Sequence, residues 1–219
     1  MRVSNEEIDL LPLSQYDGEI AVITRAKDIA AAIEEMSSCP TLGFDTETRP
    51  AFTRGCNYKV ALLQLSSENK TWLFRLCKTG LPAELARFLE RTDIVKPGLA
   101  IRDDLRGLCR LTPFAPGGFV DLQTMAAKRG VEDMSLKKMA AHVLGVRVSK
   151  RQRLTNWEAE TLTQGQMTYA ATDSWISLQI YNALSSGVTE SPAVQAARQQ
   201  IAARRGEETK TDKKEQQQQ

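Results

Sequence analysis

A chain of 219 residues can bury one full-sized core and is too short for two ordinary domains plus a tail. Its 42% hydrophobic and 26% charged residues match a folded globular protein and exclude a largely disordered one. A formal net charge of +2 excludes a globally basic surface, so a nucleic-acid partner would have to be met by local cation clusters and by metal.

The first residues, Met1 to Glu7, lack the basic region and apolar run of a signal peptide, and no stretch approaches ~18 apolar residues. The expectation is a cytoplasmic protein with no membrane partner. Residues 1–19 read as an N-terminal extension. Ile20 to Thr24 then reads as a strand and Ala26 to Met36 as a helix, with Ile29, Ile33 and Met36 at helical spacing. Thr41 to Glu47 and Lys59 to Leu65 are two further strands, the second almost wholly apolar and therefore central. Turn residues Ser66 to Asn69 lead into Thr71 to Phe74, which predicts an antiparallel hairpin and so a mixed sheet.

Leu81 to Leu89 reads as a helix entered through Pro82, and Ile94 to Lys96 as a short strand stopped by Pro97-Gly98. Helices follow at about Ile101 to Arg110, Leu122 to Lys128, Leu136 to Leu144 and Thr163 to Leu184. From Arg204 the chain is polar with nothing to bury, so 191–219 reads as a helical end and a disordered tail. Residues 20–190 form the one expected domain, α/β in class, a mixed β-sheet flanked by α-helices. Cys39, Cys56, Cys77 and Cys109 are widely spread, and His142 is the single histidine, a set too dispersed for zinc. The cysteines read as reduced packing residues.

Four carboxylates stand out from this framework. In a strand with period two, Leu42, Phe44 and Thr46 face one way while Gly43, Asp45 and Glu47 face the other, so two acids share a face. Such a pair remains ionised only beside cations, donors or open water. An Asp-x-Glu is by itself most often a solvated edge or a cap, and the case rests on partners. In the last long helix Tyr169, Asp173, Ile176 and Ile180 fall at i, i+4, i+7 and i+11, which puts Asp173 on the apolar stripe with Tyr169 one turn before it. In Ile101 to Leu108 the same spacing selects Asp104 over Asp103 as the inward acid, although a later helix start would exchange them. Asp103 then reads as a cap or a solvated neighbour.

Four segments carry a family likeness: Phe44-Asp45-Thr46-Glu47-Thr48, Val60 to Leu65, Gly98 to Leu105, and Tyr169-Ala170-Ala171-Thr172-Asp173. Ser135 to Ala140, Leu144-Gly145-Val146 and Thr155-Asn156-Trp157 add to it. In this order the chain, over roughly 20 to 185, resembles the DEDD exonucleases of the ribonuclease D type. The resemblance implies a ribonuclease-H-like fold and removal of nucleotides from nucleic-acid 3′ ends. It also implies Asp45, Glu47, Asp104 and Asp173 as metal ligands, and Tyr169 as the mark of the tyrosine branch.

All-oxygen ligands favour Mg²⁺ or Mn²⁺, and the expected cofactor is two such ions, with Asp45 the natural bridge. A tyrosine is a poor base at neutral pH, so Tyr169 is expected to orient the attacking water. The resemblance further implies that Thr46, between the two acids, presents its backbone to the terminal nucleotide. Arg147, Lys150, Arg151 and Arg153, with Lys137 and Lys138, form a basic run, and Arg151 and Arg153 are the candidate phosphate contacts. Arg49 and Arg54 read as a solvated loop, Trp157 and Trp175 as packing residues, and His142 as structural. Two rival readings are a module of the same fold that binds nucleic acid without catalysis, and another carboxylate-dependent phosphodiesterase. DNA or RNA as substrate is not encoded at this level.

Overall fold

The computed structural model describes residues 2–53, 57–132 and 134–216, with 206–216 described by backbone alone. Strands β1 (Glu19–Ile23), β2 (Gly43–Thr48), β3 (Val60–Ser66) and β4 (Lys70–Phe74) form one sheet in the order β1-β4-β3-β2. β1 runs parallel to β4, while β3 is antiparallel to both β4 and β2, so the sheet is mixed as the turn chemistry predicts. The hairpin between β3 and β4 is closed by Ser67, whose backbone N–H donates to the Lys70 carbonyl at 2.8 Å. Every residue of β3 is buried, which explains its continuous apolar run.

Beyond β2 the chain adds β5 (Lys96–Gly98), paired parallel with β6 (Phe119–Asp121), and an isolated bridge between Thr41 and Val95 links the residues that lead into β2 and β5. β5 starts two residues later than Ile94, because Val95 is taken up by that bridge, and β6 is too short for any period to reveal it.

Helices cover both faces. On one side α2 (Ile29–Met36) and α4 (Ala83–Glu90) pack with Leu42, Phe44, Leu63, Leu65 and Phe74. On the other side α8 (Gln164–Ser185) lies over Leu62 and Leu73, with Tyr169 and Ala170 in that layer. α8 starts at a capping box, in which Thr163 and Gln166 satisfy each other's backbone N–H groups. The loop before it is pinned by the buried Arg75, whose Nη2 donates to the Ala159 carbonyl. Gly43 lies on the α8 side of β2, and a Cβ there would collide with the Ser174 carbonyl oxygen, so the absence of a side chain lets the main chain of α8 settle on β2.

The remaining helices are α1 (Asn5–Asp9), α3 (Leu76–Thr79), α5 (Arg102–Leu111), α6 (Leu122–Ala127), α7 (Leu136–Met139) and α9 (Pro192–Gln216). α7 continues as a π-helical turn over Ala140–Leu144 and stops at the left-handed Gly145, φ +70°. Near the N-terminus, Val3, Ile8 and Leu11 pack with Ala141 and with Val194 of α9, and Arg198 of α9 donates to Glu7 and Glu190. α9 runs through the stretch from Arg204 that the composition assigns to a disordered tail. That stretch is dominated by Arg, Glu, Lys and Gln and has no proline, so despite Gly206 its propensity is largely helical even though it has little to bury. Residues 217–219 lie outside the described residues.

Candidate active site

β2 ends with Asp45 and Glu47 on the face that α8 covers, and α8 brings Asp173 down onto them. Carboxylate oxygens of Asp45, Glu47 and Asp173 all lie within 4.8 Å of one another. The close approach at Gly43 makes this possible, because Ser174 at that contact is the neighbour of Asp173. Asp104 is outside the three-acid group. It sits half-buried in the first turn of α5, where its Oδ1 accepts a hydrogen bond from Thr46 Oγ1, while Asp103 is solvated and pairs with Arg106 at 3.1 Å. Periodicity therefore separates the two aspartates correctly. α5 starts at Arg102, at the end of a sharp turn in which Ala100 takes a left-handed backbone, φ +53°. A non-glycine residue there stores strain beside the site, and no sequence signal marks it.

Removal from water drives the electrostatics of this cluster. Asp45 is pushed well above the ordinary carboxylate range, first by burial and then by the charges of Asp173 and Asp104. Glu47 is pushed up to about 10 by burial and then by Asp45, Asp173 and Asp104, with Arg153 pulling the other way. Burial lifts Asp173 to about 7 against a hydrogen bond from Tyr169 and the charge of Lys150. Asp104 is raised by burial and held back by the Thr46 hydroxyl. The Tyr169 hydroxyl is raised by burial and by the neighbouring carboxylates, so it stays protonated. Among the described residues none of the four acids makes an ion pair, so no protein cation is in contact to offset the charge the cluster carries once ionised. Hard oxygen donors in this state fit a divalent cation.

A cleft of about 250 Å³ opens beside the cluster, lined by Asp45, Tyr169 and Asp173 together with Lys137, Lys150 and Arg153. Arg151 does not line it; that residue lines an adjoining cavity that shares Tyr169 with the cleft. Trp157 is fully buried, its ring 6.0 Å from that of Tyr169, and Trp175 packs with Tyr16 at 5.8 Å, so both are packing residues as expected. His142 is buried, 3.9 Å from Glu190. Arg49 pairs with Glu158 at 3.3 Å and lies over the Tyr58 ring; Arg54 and Cys56 fall outside the described residues.

One polar residue escapes sequence reasoning. Gln64 is fully buried and stands directly across the ladder from Asp45, yet neither end of its amide has a hydrogen-bond partner. It is hidden in the apolar run of β3, where a single glutamine reads as tolerance rather than design. An unpaired buried amide costs about 1–3 kcal/mol. Gln64→Leu is therefore expected to raise the melting temperature of the metal-free protein, which a thermal melt followed by circular dichroism reads directly.

With this geometry in place, comparison with known proteins decides the family: residues 20–189 match the 3′-5′ exonuclease family. The chain belongs to the 3′-5′ exonuclease family. Among curated relatives of this exonuclease, the bifunctional 3′-5′ exonuclease/ATP-dependent helicase WRN of Mus musculus is 33% identical over 188 residues, 81% of this chain and 13% of that protein. Exonuclease 3′-5′ domain-containing protein 2 of Drosophila melanogaster is 35% identical over 147 residues, 65% of this chain and 25% of that one. The exonuclease thus spans a minor part of the length of both. Its fold is shared with Escherichia coli RNase D, at a TM-score of 0.69 and 26% identity over 83% of this chain and 46% of that one. The Aedes aegypti Nibbler EXO domain superposes at a TM-score of 0.71 with 20% identity, covering 80% and 91% of the two chains, a likeness of fold. The mixed sheet flanked by helices is thus the ribonuclease-H-like architecture of these exonucleases.

Proposed function

We propose that this chain hydrolyses phosphodiester bonds one at a time from nucleic-acid 3′ ends, with two Mg²⁺ or Mn²⁺ ions held by Asp45, Glu47, Asp104 and Asp173. The observation that carries the reading is the convergence of Asp45, Glu47 and Asp173 within 4.8 Å in a member of the 3′-5′ exonuclease family. Divalent ions, when bound, supply the Lewis acidity that activates water and offsets charge on the departing 3′ oxygen.

The chain's own residues do the rest. Tyr169 keeps its proton and stands beside Asp173, so its role is to hold the attacking water in line with the phosphorus, the assignment that defines the tyrosine branch. Water adds to phosphorus, the bond to the 3′ oxygen breaks, and the proton lost by water balances the one taken up by the new 3′ hydroxyl. The Thr46 hydroxyl is engaged with Asp104, and its backbone, which also bonds the Asp45 carboxylate, is assigned to the terminal nucleotide. Arg153, on the cleft wall, and Arg151, outside it, are assigned to substrate phosphates. The partner is DNA or RNA with a free 3′ end, the choice between them resting on contacts to the 2′ position. E. coli RNase D is described as an exoribonuclease involved in structured RNA processing, which makes RNA the first substrate to try. A cytoplasmic setting goes with this reading, since a reducing compartment suits the free thiols of Cys39, Cys77 and Cys109.

Matched DNA and RNA strands, labelled at the 5′ end and carrying a free or a blocked 3′ hydroxyl, test the proposal in Mg²⁺, in Mn²⁺ and in EDTA. The expected result is stepwise shortening that needs both the free hydroxyl and the ion. Internal cutting of blocked strands would indicate an endonuclease, and binding without cleavage an inactive module. Tyr169→Phe is expected to lower kcat by roughly 10²-fold or more, with KM little changed. A steady-state comparison giving full kcat would remove Tyr169 from the mechanism.

A further inference from the structure

One buried polar group takes no part in the chemistry assigned above, although it stands beside the centre of that chemistry. Gln64 is 0% exposed, and neither the nitrogen nor the oxygen of its amide has a hydrogen-bond partner. The register of the sheet fixes its neighbours. Residues directly opposite across an antiparallel pair present their side chains to the same face, with Cβ atoms about 4.5–5.5 Å apart. Gln64 is opposite Asp45 of β2 on one side and Leu73 of β4 on the other, so it lies on the sheet face that α8 covers.

The polar residue next to it on the same face is satisfied. Ser66, two residues along β3 and opposite Gly43, bonds Thr71 Oγ1 at 2.7 Å and Ser174 Oγ at 2.6 Å. Leu62, two residues the other way, and Leu73 offer nothing to an amide. The polar side chain directly opposite Gln64 is therefore that of Asp45. Asp45 in turn has few donors: the Thr46 backbone N–H reaches its carboxylate, and among the described residues no side chain does. A carboxylate that ligates a metal is oriented by hydrogen bonds to the lone pairs the ion leaves free, and a glutamine amide can donate two. Leucine would satisfy the packing at this position without any polar group to bury, since Leu62, Leu63 and Leu65 are all buried in the same strand.

We infer that Gln64 is a positioning residue for the metal site: its amide N–H donates to the Asp45 carboxylate when a divalent ion is bound, and holds that carboxylate in its ligating orientation. The inference rests on the exonuclease reading above and adds to it a residue outside the four acids and Tyr169. Gln64 acts through Asp45 and touches neither the ion nor the nucleic acid. Without metal the unpaired amide destabilises the sheet; with metal it completes the site. Its removal therefore acts with opposite sign in the two states, which the loss of a packing residue does not.

Gln64→Leu and the unbranched Gln64→Met are compared with the wild type by two measurements that need no substrate, the melting temperature in EDTA and a calorimetric titration with Mn²⁺ alone. The expected results are a Tm in EDTA higher by about 2–4 °C and a Mn²⁺ dissociation constant raised roughly tenfold. On a single strand with a free 3′ end, kcat is expected to recover to within roughly threefold of wild type at saturating Mn²⁺, with KM for the strand unchanged, because the loss lies in holding the ion. A dissociation constant equal to that of the wild type overturns the inference. So does a Tm in EDTA that falls together with metal affinity, the behaviour of a packing residue, and so does a failure of both variants to fold. Wild-type protein that binds Mn²⁺ yet digests no strand defeats the exonuclease reading and leaves the Gln64 comparison standing. Wild-type protein that binds no Mn²⁺ defeats the metal site on which both depend.

Discussion

Asp45→Asn is expected to abolish metal-dependent digestion while making the metal-free protein more stable. The two effects have one cause. Asp45, Glu47 and Asp173 crowd together in a partly buried position, and the charges of their neighbours add to burial in raising the proton affinity of Asp45 and Glu47. An amide of the same shape removes one charge from that repulsion, so the melting temperature without metal should rise. The same change takes away the proposed bridging ligand. Lost stabilisation of several kcal/mol in the transition state corresponds to a fall of at least ~10³-fold in kcat. Thermal melts in EDTA and a 3′-end digestion assay on one preparation check both halves. A variant both less stable and inactive would point to an ordinary folding defect.

Metal and pH should act on stability in opposite directions. Asp173 and Glu47 have folded-state values near 7 and 10, above the ordinary carboxylate value of about 4. A carboxyl whose value is raised by folding favours the folded state while it is protonated, and that contribution is lost as pH rises through the raised value. Metal-free protein should therefore lose stability steadily from about pH 5 to pH 9, by up to about 1.4 kcal/mol per pH unit for each proton the folded cluster retains. The protons are shared by the cluster, so the decline is gradual rather than stepped. Mg²⁺ at 100 times its dissociation constant should restore about 2.7 kcal/mol, or roughly 5–10 °C in Tm for a chain of this length. Calorimetric scans across this pH range, with Mg²⁺ and with EDTA, read both effects. A flat profile in EDTA would mean that the acids are solvated, and the electrostatic account of the site would fall.

Much of the site was legible because regular structure has fixed periods. Period two in β2 put Asp45 and Glu47 on one face, and period 3.6 placed Asp173 with Tyr169 and separated Asp104 from Asp103. Trp157 and the buried β3 run followed from composition. Other features left no trace in such periods. β6 is three residues long, the left-handed turn at Ala100 falls on an ordinary alanine, and Gln64 looks like one polar letter in an apolar strand. The basic run from Arg147 to Arg153 reads as a single patch, yet Arg153 lines the cleft, Arg147 and Arg151 line an adjoining cavity, and Lys150 lines both.

By itself, then, the amino-acid order determined the α/β class, the mixed sheet and which face each acid occupies, since these depend on neighbours a few residues away. How closely the acids meet was decided only in three dimensions. Gly43 lets α8 rest on β2 and draws Asp173 to Asp45 and Glu47, while Asp104 stays one hydrogen bond away on Thr46. Distances between elements far apart in the chain are set by the packing of whole surfaces, which no local spacing records.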